Sequence, residues 1–133
     1  MEPASPARLY ASVAGALLVV LGIVGFFYDA SFTSLDDLQR ALGAIEVNAW
    51  FNLLYVVTGA IGVLVAGVAS RAYSLAIGLL YALLGILGLG TEWLHLTIGV
   101  LGIAAAVGSS KLGSVKPKRR RSKPRANAAG NRA

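Results

Sequence analysis

Four long apolar stretches dominate the chain, and none of them contains Asp, Glu, Lys or Arg. They cover residues 9–28, 47–69, 72–90 and 93–110. An α-helix rises about 1.5 Å per residue, so about 20 apolar residues cross a hydrocarbon core of roughly 30 Å. The helices of a water-soluble bundle need a polar face, which these stretches lack. The sequence therefore predicts an all-α integral membrane protein, a four-helix bundle with four spans, and disfavours a soluble bundle.

The first stretch is predicted to be a span and not a cleaved signal peptide. The apolar region of a signal peptide has about 7–15 residues, and this stretch is longer. It ends in Phe26, Phe27, Tyr28 and Asp29, where cleavage requires small residues. The whole chain is 14% charged, against roughly 25% in soluble proteins. The chain has no Cys, which excludes disulfides and thiolate metal sites.

Lys and Arg are distributed unequally between the two sides of the predicted spans. The side with both termini carries eleven of the twelve, namely Arg8, Arg71 and nine residues after Ser110, and the other side carries only Arg40. Cytoplasmic segments of membrane proteins are enriched in Lys and Arg. We therefore predict a plasma-membrane protein with a cytoplasmic N-terminus (1–8), a cytoplasmic tail (111–133) and an outer loop (29–46).

The outer loop carries a pattern that is typical of a helix start. Ser34 is a candidate N-cap, and two aspartates follow in the first turn, where carboxylates favour the helix dipole. Apolar residues then recur at helical spacing. The sequence therefore predicts a short amphipathic helix on the outer surface. Its apolar residues are Leu35, Leu38, Leu42 and Ile45.

The chain also contains an internal repeat. A shift of 63 residues aligns the first span with the third at eight of eighteen positions, including three glycines, and a weaker match relates the second span to the fourth. The pattern indicates a duplicated helical hairpin. Both copies enter from the same side, so the repeat is parallel and not inverted. The matching segments are Arg8-x-Tyr10 with Arg71-x-Tyr73, and Trp50-x-Asn52-Leu53 with Trp93-x-His95-Leu96.

Glycines recur along one stripe of each predicted span. Small residues let helices approach closely in lipid, where no hydrophobic effect drives them together. We predict that the stripes pack inside one bundle, and the alternative is a seam between copies of the chain. The predicted packing positions are Gly15, Gly22, Gly25, Gly59, Gly62, Gly78, Gly85, Gly88, Gly99 and Gly102.

Polar residues near the outer ends of the second and fourth spans are predicted to form a cluster of Glu46, Asn48, Asn52, Glu92 and His95. We expect His95 to hydrogen-bond with Asn52 or Glu46 and fix the helix register. The alternative is a proton-sensing or ligand site, because histidine titrates near physiological pH and polar groups inside a membrane are costly. No metal site is predicted, because one His and one nearby carboxylate supply too few ligands.

The tail is basic and contains no acidic or aromatic residue. We predict that it is disordered and lies on the anionic inner leaflet, where each basic residue contributes about 1 kcal/mol. The alternatives are non-specific nucleic-acid binding through phosphate charge and docking to an acidic protein. The predicted lipid contacts are Lys116, Lys118, Arg119, Arg120, Arg121, Lys123 and Arg125.

Three motifs carry a family resemblance. They are Glu92 with Trp93-Leu94-His95-Leu96, Arg71-Ala72-Tyr73 with Gly78-x-x-Tyr81, and Leu42-Gly43 ahead of Asn52-Leu53. Over residues 8–106 the chain resembles the domain of unknown function 4383 family of small bacterial membrane proteins, common in actinobacteria. The resemblance implies a four-span protein of unknown activity. The family often has a histidine on each side of the Asn-Leu pair, where this chain has Phe51 and Tyr55.

The sequence shows no nucleophile with a base in reach, no paired carboxylates within the spans and no phosphate-binding loop. It therefore predicts no enzyme activity and no cofactor. We expect a membrane protein that acts by association with itself or with another membrane protein, and no specific nucleic acid. The alternative is a small oligomeric transporter or channel, which the absence of charged residues from the spans disfavours.

The predicted orientation is testable because the chain has no native Cys. A Cys in place of Ser34 should react with a membrane-impermeant thiol reagent in intact cells, whereas one in place of Ser114 should react only after the cells are opened. The reverse pattern would overturn the orientation.

Overall fold

The computed structural model describes residues 3–114, with side chains described for residues 3–110. It is all-α apart from one small hairpin, and the prediction of four helices is confirmed. The predicted lipid contacts of the tail begin at Lys116 and lie outside the described residues. The elements are α1 Pro6–Phe26, β1 Gln39–Ala41, β2 Ile45–Val47, α2 Ala49–Val65, α3 Ser70–Ile86 and α4 Glu92–Ser114.

Two of the helices begin at side-chain caps. The Ser5 hydroxyl accepts a hydrogen bond from the Arg8 N–H at 3.2 Å, and Pro6 follows at the first helical position. Asn48 Oδ1 accepts a hydrogen bond from the Phe51 N–H at 2.9 Å. Each cap satisfies a backbone donor that has no partner within its helix. These caps therefore fix where α1 and α2 start.

The second and third helices are shorter than the apolar stretches predicted. Both have 17 residues, because residues 66–69 form the turn between them and residues 87–91 form the connection to α4. These connections are themselves apolar, which is why hydropathy overestimates the helices. Two helices, α1 and residues 92–110 of α4, are long and apolar enough by length and composition to cross a membrane, and α2 and α3 fall below that length.

Glycines bring the helices together in two pairs, α1 with α2 and α3 with α4. A Cβ on Gly15 would lie 2.8 Å from the carbonyl oxygen of Gly59, and a Cβ on Gly102 would lie 2.8 Å from the Cα of Gly78. Any side chain at these positions would have to push two backbones apart. The two contacts join positions that correspond in the internal repeat.

Five further predicted glycines also lie against a neighbouring helix. Gly88 lies beyond the end of α3 and has a φ of +67°, so the prediction that it packs within a helix is wrong, and a Cβ there would meet the Glu92 side chain at the start of α4. The connection needs this left-handed backbone, which glycine adopts without steric cost. The five contacts are Gly22 with Val56, Gly25 with Asn52, Gly62 with Tyr73, Gly85 with Leu96, and Gly99 with Ala82.

Two tyrosines join the α1–α2 pair to the α3–α4 pair. The Tyr10 hydroxyl on α1 donates to the Ile98 carbonyl on α4 at 2.8 Å. The Tyr73 hydroxyl on α3 donates to the Thr58 carbonyl on α2 at 2.9 Å. The two ring centroids lie 6.5 Å apart, and the rings share one buried cluster with three alanines. Each helix pair therefore contributes one tyrosine that hydrogen-bonds with the other pair.

The predicted outer amphipathic helix is wrong. Residues 39–47 form an antiparallel hairpin in which Arg40 lies opposite Glu46, and the remainder of the outer loop contains a turn and irregular backbone. Leu42 and Gly43 have φ values of +52° and +76°, which a right-handed helix does not allow. The hairpin buries Ala41 and Val47 almost completely, whereas Leu35 and Leu42 are more than half exposed. Burial of these two side chains stabilises the hairpin more than helix formation would stabilise this segment, because a helix this short is not stable alone.

The glycine contacts predict a matched pair of effects on stability. Gly15→Ala and Gly78→Ala should each lower the free energy of unfolding by about 1–3 kcal/mol, because the methyl group overpacks a helix contact. Gly108→Ala is the control, because its Cβ would lie 3.6 Å from Pro6 Cγ, an ordinary contact. Thermal unfolding in detergent measures all three variants. Equal stability of all three would show that the helices do not pack as described.

Candidate functional site

The side chain of His95 lies in a fully buried aromatic enclosure. Its ring centroid is 5.5 Å from that of Tyr81, 5.6 Å from Phe51 and 5.8 Å from Tyr55. His95 Nε2 and the Tyr55 hydroxyl form a hydrogen bond of 2.7 Å. His95 and Tyr55 are both 0% exposed. The histidine is thus held by α2 and α3 as well as by its own helix.

The predicted partners of His95, Asn52 and Glu46, are wrong. Asn52 is three residues before Tyr55 on α2, and its side chain is directed toward α1, where it contacts Gly25 and donates from Nδ2 to the Asp29 carbonyl at 2.9 Å. Tyr55 extends from α2 toward α4. A difference of three residues rotates a side chain by about 60° around the helix, and that rotation decides which neighbouring helix each residue meets.

A second pair of hydroxyl groups continues the polar interior from the enclosure. Thr58 Oγ1 lies 2.8 Å from the Tyr81 hydroxyl and donates to the Leu54 carbonyl at 2.7 Å. Because the Thr58 proton is used in that bond, the Tyr81 hydroxyl donates to Thr58. The Thr58 carbonyl also accepts from Tyr73. One residue of α2 therefore connects with two tyrosines of α3.

The two asparagines of the predicted cluster attach the outer loop to the bundle. Asn48 Nδ2 donates to the Leu35 carbonyl at 3.0 Å, in addition to capping α2. Asn52 Nδ2 binds the loop at Asp29, and its Oδ1 rests against Gly25, where a Cβ would collide with it. Both side chains are 0% exposed. The loop is thereby fixed at two points, near its start and at its middle.

The two carboxylates of the predicted cluster lie apart from its buried members. Glu46 is on β2 and Glu92 begins α4, and both line an open cavity of about 450 Å³ beside Arg40 and Trp93. Thr91 holds this region together, because its hydroxyl accepts from the Glu46 N–H at 2.7 Å and donates to the Glu46 carbonyl at 3.2 Å. The five residues predicted as one cluster thus occupy three places: the aromatic enclosure, the loop anchors and the outer cavity.

Four residues that matter here were not predicted as site residues, although Tyr55 and Tyr81 lie in the segments compared with the family. Tyr55, Thr58 and Tyr81 are polar groups within apolar stretches, and Thr91 precedes α4. A buried polar group must find a partner, so hydroxyl-bearing residues inside apolar stretches were the available signal. Within the described residues, no group of three or more His, Cys, Asp or Glu side chains comes together in a way that could hold a metal ion.

The family model described as domain of unknown function (DUF4383) matches residues 8–93 of this chain. The match covers more than half of the sequence, and the chain belongs to this family. The match ends at Trp93, so His95, which belongs to the Trp93-Leu94-His95-Leu96 motif of the resemblance, lies outside it. No curated protein and no solved structure matches the chain.

The hydrogen bond between His95 and Tyr55 is predicted to stabilise the bundle. A double-mutant cycle with Tyr55→Phe and His95→Phe should give a coupling energy of about 0.6 kcal/mol and at most about 1.7 kcal/mol, the range found for hydrogen bonds between helices in membrane proteins. Tyr28→Phe is the control, since Tyr28 is half exposed. A coupling energy of zero in chemical unfolding would contradict the contact.

Proposed function

We propose that this protein is a multi-pass integral membrane protein in which all four helices cross the bilayer, and that it acts by association and not by catalysis. One observation carries the proposal: the bundle exposes large apolar side chains and buries polar ones. The outer faces of the helices expose large apolar side chains, whereas Asn52, Ser74 and His95 are completely buried. On α1 alone, Leu9 and Leu17 are 66% and 64% exposed.

This distribution of polarity favours lipid as the solvent of the bundle. A soluble monomer rarely exposes an apolar patch of more than a few hundred Å², and here apolar side chains are exposed on all four helices. They include Leu64 on α2, Leu79 on α3 and Val100 on α4. Polar side chains in a lipid-embedded bundle turn toward each other and join the helices, as Tyr55 and His95 do. Both halves of the pattern therefore support the proposal.

The lengths of α2 and α3 are compatible with this arrangement. A helix of 17 residues is about 25 Å long and lies at the lower end of the range for membrane spans, about 17–25 residues. A short span is accommodated by local thinning of the bilayer at modest cost. The charge distribution of the sequence supports cytoplasmic termini, with the outer loop and its hairpin on the opposite side.

Corresponding contacts support an origin by duplication of a hairpin. Gly15 meets Gly59 in the first pair as Gly78 meets Gly102 in the second. Tyr10 and Tyr73, which also correspond, each donate to a carbonyl of the other pair. The two hairpins thus join through corresponding tyrosines, although the accepting carbonyls of Ile98 and Thr58 do not correspond, and such an arrangement is typical of a fused dimer. We infer that association is built into this fold.

The exposed apolar faces are the surfaces that we propose for association, with a second copy or with another membrane protein. The basic residues 116–125 are proposed to bind the anionic inner leaflet and hold the cytoplasmic end at the membrane.

Photo-crosslinking in native membranes tests this function. A photoreactive amino acid at Leu64, Leu79 or Val100 should give adducts with protein from at least one of these three positions. The control is the same amino acid at Leu18, which is 2% exposed and should give no such adduct. The chain should remain in the membrane fraction after alkaline carbonate extraction. Release by carbonate would overturn the membrane assignment. Adducts with lipid alone at all three exposed positions would overturn association.

A further inference from the structure

Two cavities of opposite chemistry meet at the turn of the hairpin, residues 42–45. Leu42 and Ile45 line an apolar groove of about 480 Å³ between α1 and α4. Gly43 and Ala44 line the polar cavity of about 450 Å³ beside the start of α4. The two outer residues of this segment therefore border the groove, and the two inner residues border the polar cavity. A ligand with one polar and one apolar part could lie across the turn.

The apolar groove is long enough to hold the acyl chain of a lipid from one leaflet. Its wall on α1 extends from Tyr10 to Val24, about 21 Å, and its wall on α4 extends from Leu94 to Leu101, about 10 Å. One leaflet contributes about 15 Å of hydrocarbon. Thr97 is a polar residue in this wall, and its hydroxyl donates to the Trp93 carbonyl at 2.7 Å. The groove therefore offers an acyl chain an almost entirely apolar surface.

The polar cavity carries both signs of charge. Arg40 and Glu46 are directly opposite in the hairpin register and so project from the same face, and Glu92 and Trp93 come from the start of α4. A guanidinium binds phosphate oxygens in a bidentate manner. Carboxylates and the face of an indole ring attract an ammonium group. The cavity thus complements a ligand that has a phosphate and an amine close together.

We propose that the two cavities form one site for a phospholipid with a zwitterionic amine headgroup, from the leaflet on the hairpin side. The headgroup occupies the polar cavity, with its phosphate at Arg40 and its ammonium group at Glu46, Glu92 and Trp93. One acyl chain lies in the groove between α1 and α4. This inference rests on the proposed membrane function, because the groove must face lipid.

Charge selects this occupant over two others. An anionic lipid would bring a net negative headgroup to a cavity with two carboxylates and one guanidinium. A helix from a second copy of the chain would fill the groove and leave the charged cavity without a complement. A zwitterionic phospholipid supplies a phosphate for the guanidinium, an ammonium group for the carboxylates and an acyl chain for the groove.

Lipid retention by the full chain tests the site. The protein is reconstituted in vesicles of equal parts phosphatidylethanolamine and phosphatidylglycerol, extracted in a mild detergent, and analysed for bound lipid by native mass spectrometry. We expect one retained phosphatidylethanolamine per chain, enriched about tenfold over phosphatidylglycerol, the ratio that one charge-assisted contact provides.

Two pairs of variants separate the site from general effects. Glu46→Gln combined with Glu92→Gln should abolish the enrichment, and Asp36→Asn, on the exposed part of the outer loop, should retain it. Thr97→Trp should block the groove and prevent retention, whereas Val100→Trp, which is exposed on α4 outside the groove, should not. Thermal unfolding identifies any variant that does not fold. Arg40→Gln, at an exposed position of the hairpin, is the further variant in that case, and it should lower the total amount of retained lipid because the phosphate loses its partner.

Three results would overturn the site. Retained lipid in the proportions of the vesicle would show that no headgroup is selected, and a preference for phosphatidylglycerol would show that the charge assignment is wrong. A dimer that Thr97→Trp dissociates would show that the groove binds a second copy. In each of these cases the chain still enters the vesicles, whereas failure of the proposed membrane function would appear as failure to reconstitute.

Discussion

Direct contact between helix backbones at glycine is the interaction on which the rest of this fold depends. At Gly15 with Gly59, and at Gly78 with Gly102, no side chain separates the two helices. Close approach brings many atoms into van der Waals contact, which is the attraction available between apolar helices in lipid. The glycine positions therefore determine which two helices pack together in each pair.

The same glycines make room for the groups that join the two pairs. The Tyr10 hydroxyl lies beside Gly102, and the Tyr73 hydroxyl lies beside Gly62. A larger residue at either glycine would exclude the tyrosine and break its hydrogen bond to the other helix pair. At the hairpin end, His95, Tyr55 and Thr58 complete a polar interior between α2, α3 and α4. Hydrogen bonds have a direction, so they specify orientation where van der Waals contact alone does not.

The sequence predicts the parts of this structure that depend on local pattern. Four charge-free stretches predict four helices, because any other backbone in lipid would leave polar groups without partners. Nine of the ten glycines that we named lie within a helix and against a neighbouring one. Gly88 is the exception, because hydropathy does not distinguish the last turn of a helix from an apolar connection.

The features that the sequence did not predict depend on contacts between distant residues. Leu35, Leu38, Leu42 and Ile45 fit helical spacing, but Thr91, distant in the chain, binds both backbone groups of Glu46 and favours a strand there. The choice of Tyr55 over Asn52 as the partner of His95 follows from how α2 is rotated relative to α1 and α4. Neither the rotation of α2 nor the position of the hairpin against Thr91 can be predicted from the local pattern of a single sequence.

The claim that the outward face of the bundle lies in hydrocarbon is tested most directly on α3, one of the two short helices. Because the chain has no native Cys, a single spin label can be placed at Leu79, in the middle of α3, and compared with one at Ser31 in the outer loop. The account predicts that collisions with oxygen are frequent and collisions with a water-soluble nickel chelate are rare at Leu79, with the opposite at Ser31. Equal access of the nickel chelate to both positions would contradict it.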